Sequence, residues 1–294
     1  MSKRCAVISA VVLAAAVLSP PLTEAASARV ERNVVFGMYA GLALVMDVHY
    51  PQRARGVGLL LVPGSGWHNP GSLKQGYPYI NALRDALVDD GFTVFVPNHR
   101  SSPTYRFPSA LLDTRRAVRF IRVNAAKFNI DPARIGGVGH SSGAHLVAML
   151  AVEDGEGSAA SAEPIARESF KTQATVAIAA PFDLIAFDSG FGLATVTAFM
   201  GERPPMDRQR RPVRAGIYRD GSPISFVSAD DGPFLIIHGE QDPVVPYRNL
   251  KLMQRALTNV GGSVTAITVA GQGHAPKLDL GRIVTWLNEN LAAE

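Results

Sequence analysis

Cysteine is all but missing from this 294-residue chain: Cys5 is the only one, so no disulfide framework and no cysteine-ligated zinc or iron–sulfur centre can be built from it. Charge of one sign is also short. The 29 Lys and Arg against 25 Asp and Glu give +4. Without Lys3, Arg4 and Glu24 the balance is 27 to 24, or +3, too weak a field for nucleic-acid binding. There is no G-K-[ST] loop and no H-E-x-x-H pair, which removes the usual phosphate cradle and the zinc-peptidase helix. Gly137-Val138-Gly139-His140-Ser141-Ser142 starts like a dinucleotide fingerprint but lacks its third small residue and comes too late in the chain. No metal and no cofactor are expected.

Long apolar runs are scarce too, with one exception at the start. Lys3-Arg4, the small and apolar run Cys5 to Leu18, and Ala26-Ser27-Ala28 read as a signal peptide over residues 1–28, cleaved after Ala28. The 14-residue run is shorter than the roughly 20 residues that cross a bilayer. Residues 29–294 are then expected to be secreted or periplasmic and free of the membrane. An uncleaved anchor is the alternative. The arginines at 203, 208, 210, 211, 214 and 219 read as a solvated face, with steering of an acidic substrate as the alternative.

What is present is a large apolar fraction, 47%, arranged in alternating strand and helix signals. A hairpin over Val34–Tyr39 and Leu42–His49 opens the chain. Buried strands are expected at Gly56–Val62, Phe92–Val96, a run ending at Val138, Ala174–Ala180 and Pro233–Ile237, with a further strand at Val264–Val269. Helices are expected at Tyr79–Asp90, Pro108–Phe128, after Ser141, at Tyr247–Asn259 and at Leu280–Leu291. Residues 153–173 read as a surface loop. This alternation means a mainly parallel sheet of roughly eight strands with helices on both faces. Residues 182–232 interrupt it with an excursion of about 50 residues, long enough to serve as a lid, with one short helix at Leu193–Met200.

Gly139-His140-Ser141-Ser142-Gly143 lies between a strand and a helix, the setting in which a tight turn exposes a serine hydroxyl. A serine needs a base to take its proton and a carboxylate to orient that base. His274, in the glycine-bracketed loop after the last strand, and Asp242, after an apolar strand, supply them in the chain order serine, acid, histidine. Glu240 and Asp183 are the rival acids. Oxyanion donors are expected from the Ser142 amide and from Ser65 or Gly66, and Trp67 is expected to contact substrate.

These features resemble the α/β-hydrolase superfamily, and within it the bacterial esterase/lipase group related to feruloyl esterases and hormone-sensitive-lipase-like carboxylesterases. The resemblance rests on Asp47-Val48-His49-Tyr50-Pro51, Gly64 to Trp67, Phe107-Pro108 with Asp113 and Ala117, and Asp131-Pro132-Ala133-Arg134-Ile135. It rests further on the Ser141 pentapeptide with His145-Leu146, on Ser222-Pro223, on His238 to Asp242 and on Gly273-His274. It implies an α/β-hydrolase fold, a triad of Ser141, Asp242 and His274, and cleavage of small-molecule carboxylic esters of short acyl or aromatic acids through an acyl-enzyme. An arylformamidase or peptidase on the same triad, or a non-catalytic binding protein of this fold, are the alternatives. Pro63 and Ser65 depart from the family's His-Gly-Gly-Gly loop, and Asn98-His99-Arg100 departs from its Asp-Tyr-Arg.

Overall fold

The computed structural model describes residues 29–68, 77–187, 190–204 and 212–292; the expected signal peptide lies outside them. The chain order is β1 (Arg29–Tyr39), β2 (Leu42–Tyr50), β3 (Gly58–Val62), α1 (Pro78–Asp89), β4 (Thr93–Pro97), α2 (Ser109–Val123), α3 (Ala125–Phe128), β5 (Ile135–His140) and α4 (Ser142–Val152). It continues with α5 (Pro164–Arg167), β6 (Thr175–Ile178), α6 (Gly190–Met200), α7 (Pro212–Asp220), β7 (Phe234–Gly239), α8 (Arg248–Asn259), β8 (Val264–Val269) and α9 (Leu280–Asn290). The eight strands form one sheet in the order β1-β2-β4-β3-β5-β6-β7-β8. β1 and β2 pair antiparallel, β2 meets β4 antiparallel, and every pairing from β4 to β8 is parallel. This is the α/β-hydrolase fold.

Strands buried on both faces need no polar alternation, and every residue of β3, β4, β5, β6 and β7 is buried. Alternate residues still choose sides. Leu59 and Leu61 pack with Leu83 and Leu87 of α1 and Ile283 and Leu287 of α9, while Leu60 and Val62 pack with Leu111 and Val118 of α2 and Leu146 of α4. α4 is buried along its whole length, the mark of a helix enclosed by protein rather than one with a wet face. Among the described residues no helix is long and apolar enough to cross a membrane.

Several boundaries differ from expectation. The helix expected over Pro108–Phe128 divides at Asn124, which leaves helical geometry at φ −101° and ψ 18° and whose side-chain amide shares the Phe120 carbonyl with its own backbone amide, at 2.8 and 3.1 Å. The loop 153–173 contains the single turn α5, and the excursion carries α7 as well as α6. That excursion also joins the core: Phe182, Phe199, Met200 and Tyr218 are all buried, and Phe199 stacks on Trp67 at 4.3 Å.

The segment Asn98-His99-Arg100 is fixed by polar bonds to β2 and α2. Asn98 accepts from the Val45 amide at 2.8 Å and so extends the β2 edge. Arg100 makes a buried fork to Asp113 of α2, with Nη2 to Oδ1 at 2.8 Å and its own amide to Oδ2 at 2.7 Å, beneath the Tyr39 ring. Removing one member leaves the other charge buried and unpaired. Asp113→Ala is therefore expected to cost about 3–5 kcal/mol in urea unfolding, and a loss below about 1 kcal/mol would refute this account.

Candidate active site

Ser141 links β5 to α4 with φ 54° and ψ −125°, a backbone region that a residue with a side chain enters only under constraint. The constraint is close packing. A Cβ on Gly143 would stand 2.0 Å from the Val62 carbonyl oxygen, and one on Gly139 would stand 2.6 Å from the Ala144 nitrogen. Only glycine permits α4 to approach the sheet this closely, and that approach turns the Ser141 side chain outward.

β7 and β8 deliver the other two members at the carboxyl end of the sheet. His274 Nε2 lies 2.8 Å from Ser141 Oγ, and His274 Nδ1 lies 2.8 Å from Asp242 Oδ2. Because a carboxylate only accepts, His274 carries its proton on Nδ1 and presents Nε2 to the serine hydroxyl. Asp242 is held from the opposite side by the amides of Val244 at 2.8 Å and Val245 at 2.9 Å, both on Oδ1. Burial raises the pKa of Asp242, but hydrogen bonds from His238 and His274 outweigh it and hold the carboxyl far below the ordinary range. Of the rival acids, Asp183 accepts from the Ile185 amide and Glu240 from that of Gly271.

On the opposite flank, the N-terminus of α4 points its first amides, beginning with Ser142, at the space in front of Ser141. The Ser65 amide, one of the two expected loop donors, is already engaged, donating to Ser142 Oγ at 2.9 Å. Gly66 follows at φ 65°, where a Cβ would stand 2.3 Å from Thr195 Cγ2 of α6. A pocket of about 400 Å³ opens between this loop and the triad, walled by Phe187, Val196, Val244 and Val245. Trp67 borders it, yet its indole is only 2% exposed and donates to His145 Nδ1 at 3.1 Å, so it shapes a wall and offers no open stacking face. Of the aromatics in the excursion, Phe187 and Phe191 border the pocket, and Phe191 is 70% exposed. Among the described residues no three His, Cys, Asp or Glu side chains gather as a metal site.

Residues 46–257 match the BD-FAE family model. The chain belongs to the BD-FAE family. It is similar to two Mycobacterium tuberculosis proteins, Esterase LipQ (28% identity over 225 residues, 74% of this chain and 49% of LipQ) and Esterase LipC (30% over 219 residues, 74% and 52%). It thus spans about half the length of the curated relatives it matches. Among solved structures it is similar to a truncated carbohydrate esterase from gut microbiota, with a TM-score of 0.76 and 26% identity over 93% of this chain and 99% of that one.

Around the serine of this BD-FAE chain lie two further histidines to which the sequence assigned no role. His145 Nε2 meets the Gly221 carbonyl at 2.7 Å and its Nδ1 receives the Trp67 proton, tying the loop after β3 to the excursion. His238 is fully buried, 3.2 Å from Asp242 Oδ2 and 3.0 Å from the Val245 carbonyl. The cue for both was fixed spacing, four residues on each side: His145 from Ser141 and His238 from Asp242.

Burial depresses His49, His140 and His145 to about 4, so each is neutral at neutral pH. Below about pH 6.5 the unfolded chain takes up protons at these positions while the native chain does not, so protons favour unfolding and stability rises with pH over that interval. The urea midpoint is expected to fall steadily from about pH 6.5 to pH 4 and to stay level from about pH 7 to pH 8. Equal midpoints at about pH 7 and pH 5 would refute this assignment.

Proposed function

We propose that this chain is a serine hydrolase that cleaves carboxylic esters of short acyl groups. The observation that carries the reading is the unbroken line from Ser141 Oγ to His274 Nε2 and from His274 Nδ1 to Asp242, each step 2.8 Å, beside the open N-terminus of α4. The esterase names of the relatives support it, and so does the pocket next to Ser141.

In this reading His274 Nε2 takes the Ser141 proton as Oγ attacks the ester carbonyl, and Asp242 stabilises the imidazolium that forms. Negative charge develops on the carbonyl oxygen, where the Ser142 amide and the Gly66 amide donate to it. Collapse expels the alkoxide with the proton from His274 and leaves the acyl group on Ser141. Water, activated by the same imidazole, then releases the acid. Ser142 Oγ holds the loop through the Ser65 amide, which leaves Gly66 as the second donor. We also propose that residues 1–28 are removed on export, so the intact mass of periplasmic protein should correspond to a start at Arg29.

Ser141→Ala should abolish turnover of p-nitrophenyl butyrate while preserving the melting temperature, and Asp242→Asn should lower kcat by about 10⁴ by upsetting the His274 tautomer. Turnover by Ser141→Ala within tenfold of wild type would remove the assignment.

Acyl length tests the pocket. A methylene buried against Phe187, Val196 and Val245 adds about 0.8 kcal/mol, or roughly fourfold in kcat/KM. The series should therefore climb from acetate to about butyrate or hexanoate and then decline. A maximum beyond about C10 would contradict a pocket of this size.

A further inference from the structure

Gly271 and Gly273 flank the loop that carries His274, and its backbone is tied to the loop after β7, where the Gln241 amide donates to the Gln272 carbonyl at 2.8 Å. At His274 itself a further support reaches it from the start of α1. Tyr77 Oη lies 2.6 Å from His140 Nδ1, and His140 Nε2 lies 2.8 Å from the backbone carbonyl of His274. A carbonyl can only accept, so His140 must donate from Nε2. The neutral ring then has a bare Nδ1, which can only accept, and Tyr77 must be the donor. Burial keeps both in these forms, raising the Tyr77 phenol to about 12 and depressing His140 to about 4. The direction of both bonds follows from the chemistry of the endpoint.

We propose that Tyr77 and His140 form a one-way hydrogen-bond relay that fixes the backbone of His274, making them positioning residues for the base that serves Ser141. The relay joins three separate elements. Tyr77 is the residue before α1, His140 ends β5 immediately ahead of Ser141, and His274 lies beyond β8. Tyr77 also packs parallel to Tyr79 at 6.4 Å, and Tyr79 Oη donates to the Pro276 carbonyl at 2.9 Å. Two phenols thus restrain the same short loop at residues 274 and 276, one through an imidazole and one directly. The loop that also carries Gly66 lies against this relay, since a Cβ on Gly64 would stand 2.6 Å from His140 Nδ1. A shift of this relay moves the imidazole relative to Ser141 Oγ, and displacement by about 1 Å is enough to cost up to 10²-fold in rate.

The inference rests on the reading in which His274 serves Ser141, and the test separates the two. Tyr77→Phe removes one hydroxyl and His140→Leu removes both bonds, while His140→Gln keeps an amide donor for the His274 carbonyl. With p-nitrophenyl butyrate, Tyr77→Phe is expected to lower kcat by about tenfold and His140→Leu by about 10²-fold, with KM within about threefold and His140→Gln between wild type and His140→Leu. The independent readout is the low-field proton resonance of His274 Nδ1–H bonded to Asp242, which needs no turnover. It should shift or broaden in Tyr77→Phe and His140→Leu with the melting temperature of Tyr77→Phe preserved. Wild-type kcat and an unmoved resonance in both variants would overturn the relay. A lowered kcat with an unmoved resonance would overturn it too, because Tyr77 would then be acting on the substrate. If wild type turns over no ester, the functional reading fails, while the resonance still decides the relay.

Discussion

Everything at this site depends on how closely α4 lies against the sheet. The positive φ at Ser141 is sustained only because Gly143 leaves room for the Val62 carbonyl and Gly139 leaves room for the first turn of the helix. Strain of this kind costs on the order of 1–3 kcal/mol and persists only where the surroundings overdetermine it. Here they do, since α4 is enclosed along its whole length by α2, the strands and the excursion. One packing contact therefore exposes the serine hydroxyl and aims helix amides at the same point.

Polar order around that contact is supplied by neutral imidazoles rather than by ion pairs. His140 and His145 use the same arrangement, each accepting at Nδ1 from an aromatic donor and donating at Nε2 to a backbone carbonyl. Aromatic N–H and O–H groups bury large apolar bodies and still demand a partner, and a neutral histidine is one of the few side chains that can receive from one group and give to another. A charged side chain in either place would bear the desolvation penalty of a buried ion. A buried ion pair does occur elsewhere, in the Arg100–Asp113 fork beneath Tyr39.

The sheet was legible from sequence because buried parallel strands leave continuous apolar runs, and β3, β4 and β7 fell within a few residues of expectation. Ser141, Asp242 and His274 were legible through chain order and through their places after strands, and the structure brings them within hydrogen-bonding distance. The relays were not legible. Tyr77 and His140 are 63 positions apart, and His140 and His274 are 134 apart, so no local pattern joins them. Nor could a sequence show that the Ser65 amide is taken by Ser142 Oγ, because that depends on a side-chain rotamer across two loops. The helix break at Asn124 was missed for a smaller reason: the apolar stripe continues through it, and the end is marked only by the Asn124 backbone leaving helical geometry while its side-chain amide folds back onto the Phe120 carbonyl.

The placement of α6 has a consequence for how this protein can be altered. Its residues Gly192 and Val196 border the pocket, Thr195 abuts Gly66, and Phe199 stacks on Trp67. One helix thus sets both the shape of the pocket beside Ser141 and the support of the loop facing the serine. Substrate range and chemical competence are mechanically joined, so grafting the excursion of another family member onto this sheet would exchange two properties together. Retuning the pocket alone has to proceed from Phe187, Val244 and Val245, which touch the cavity from elements that the loop does not lean on.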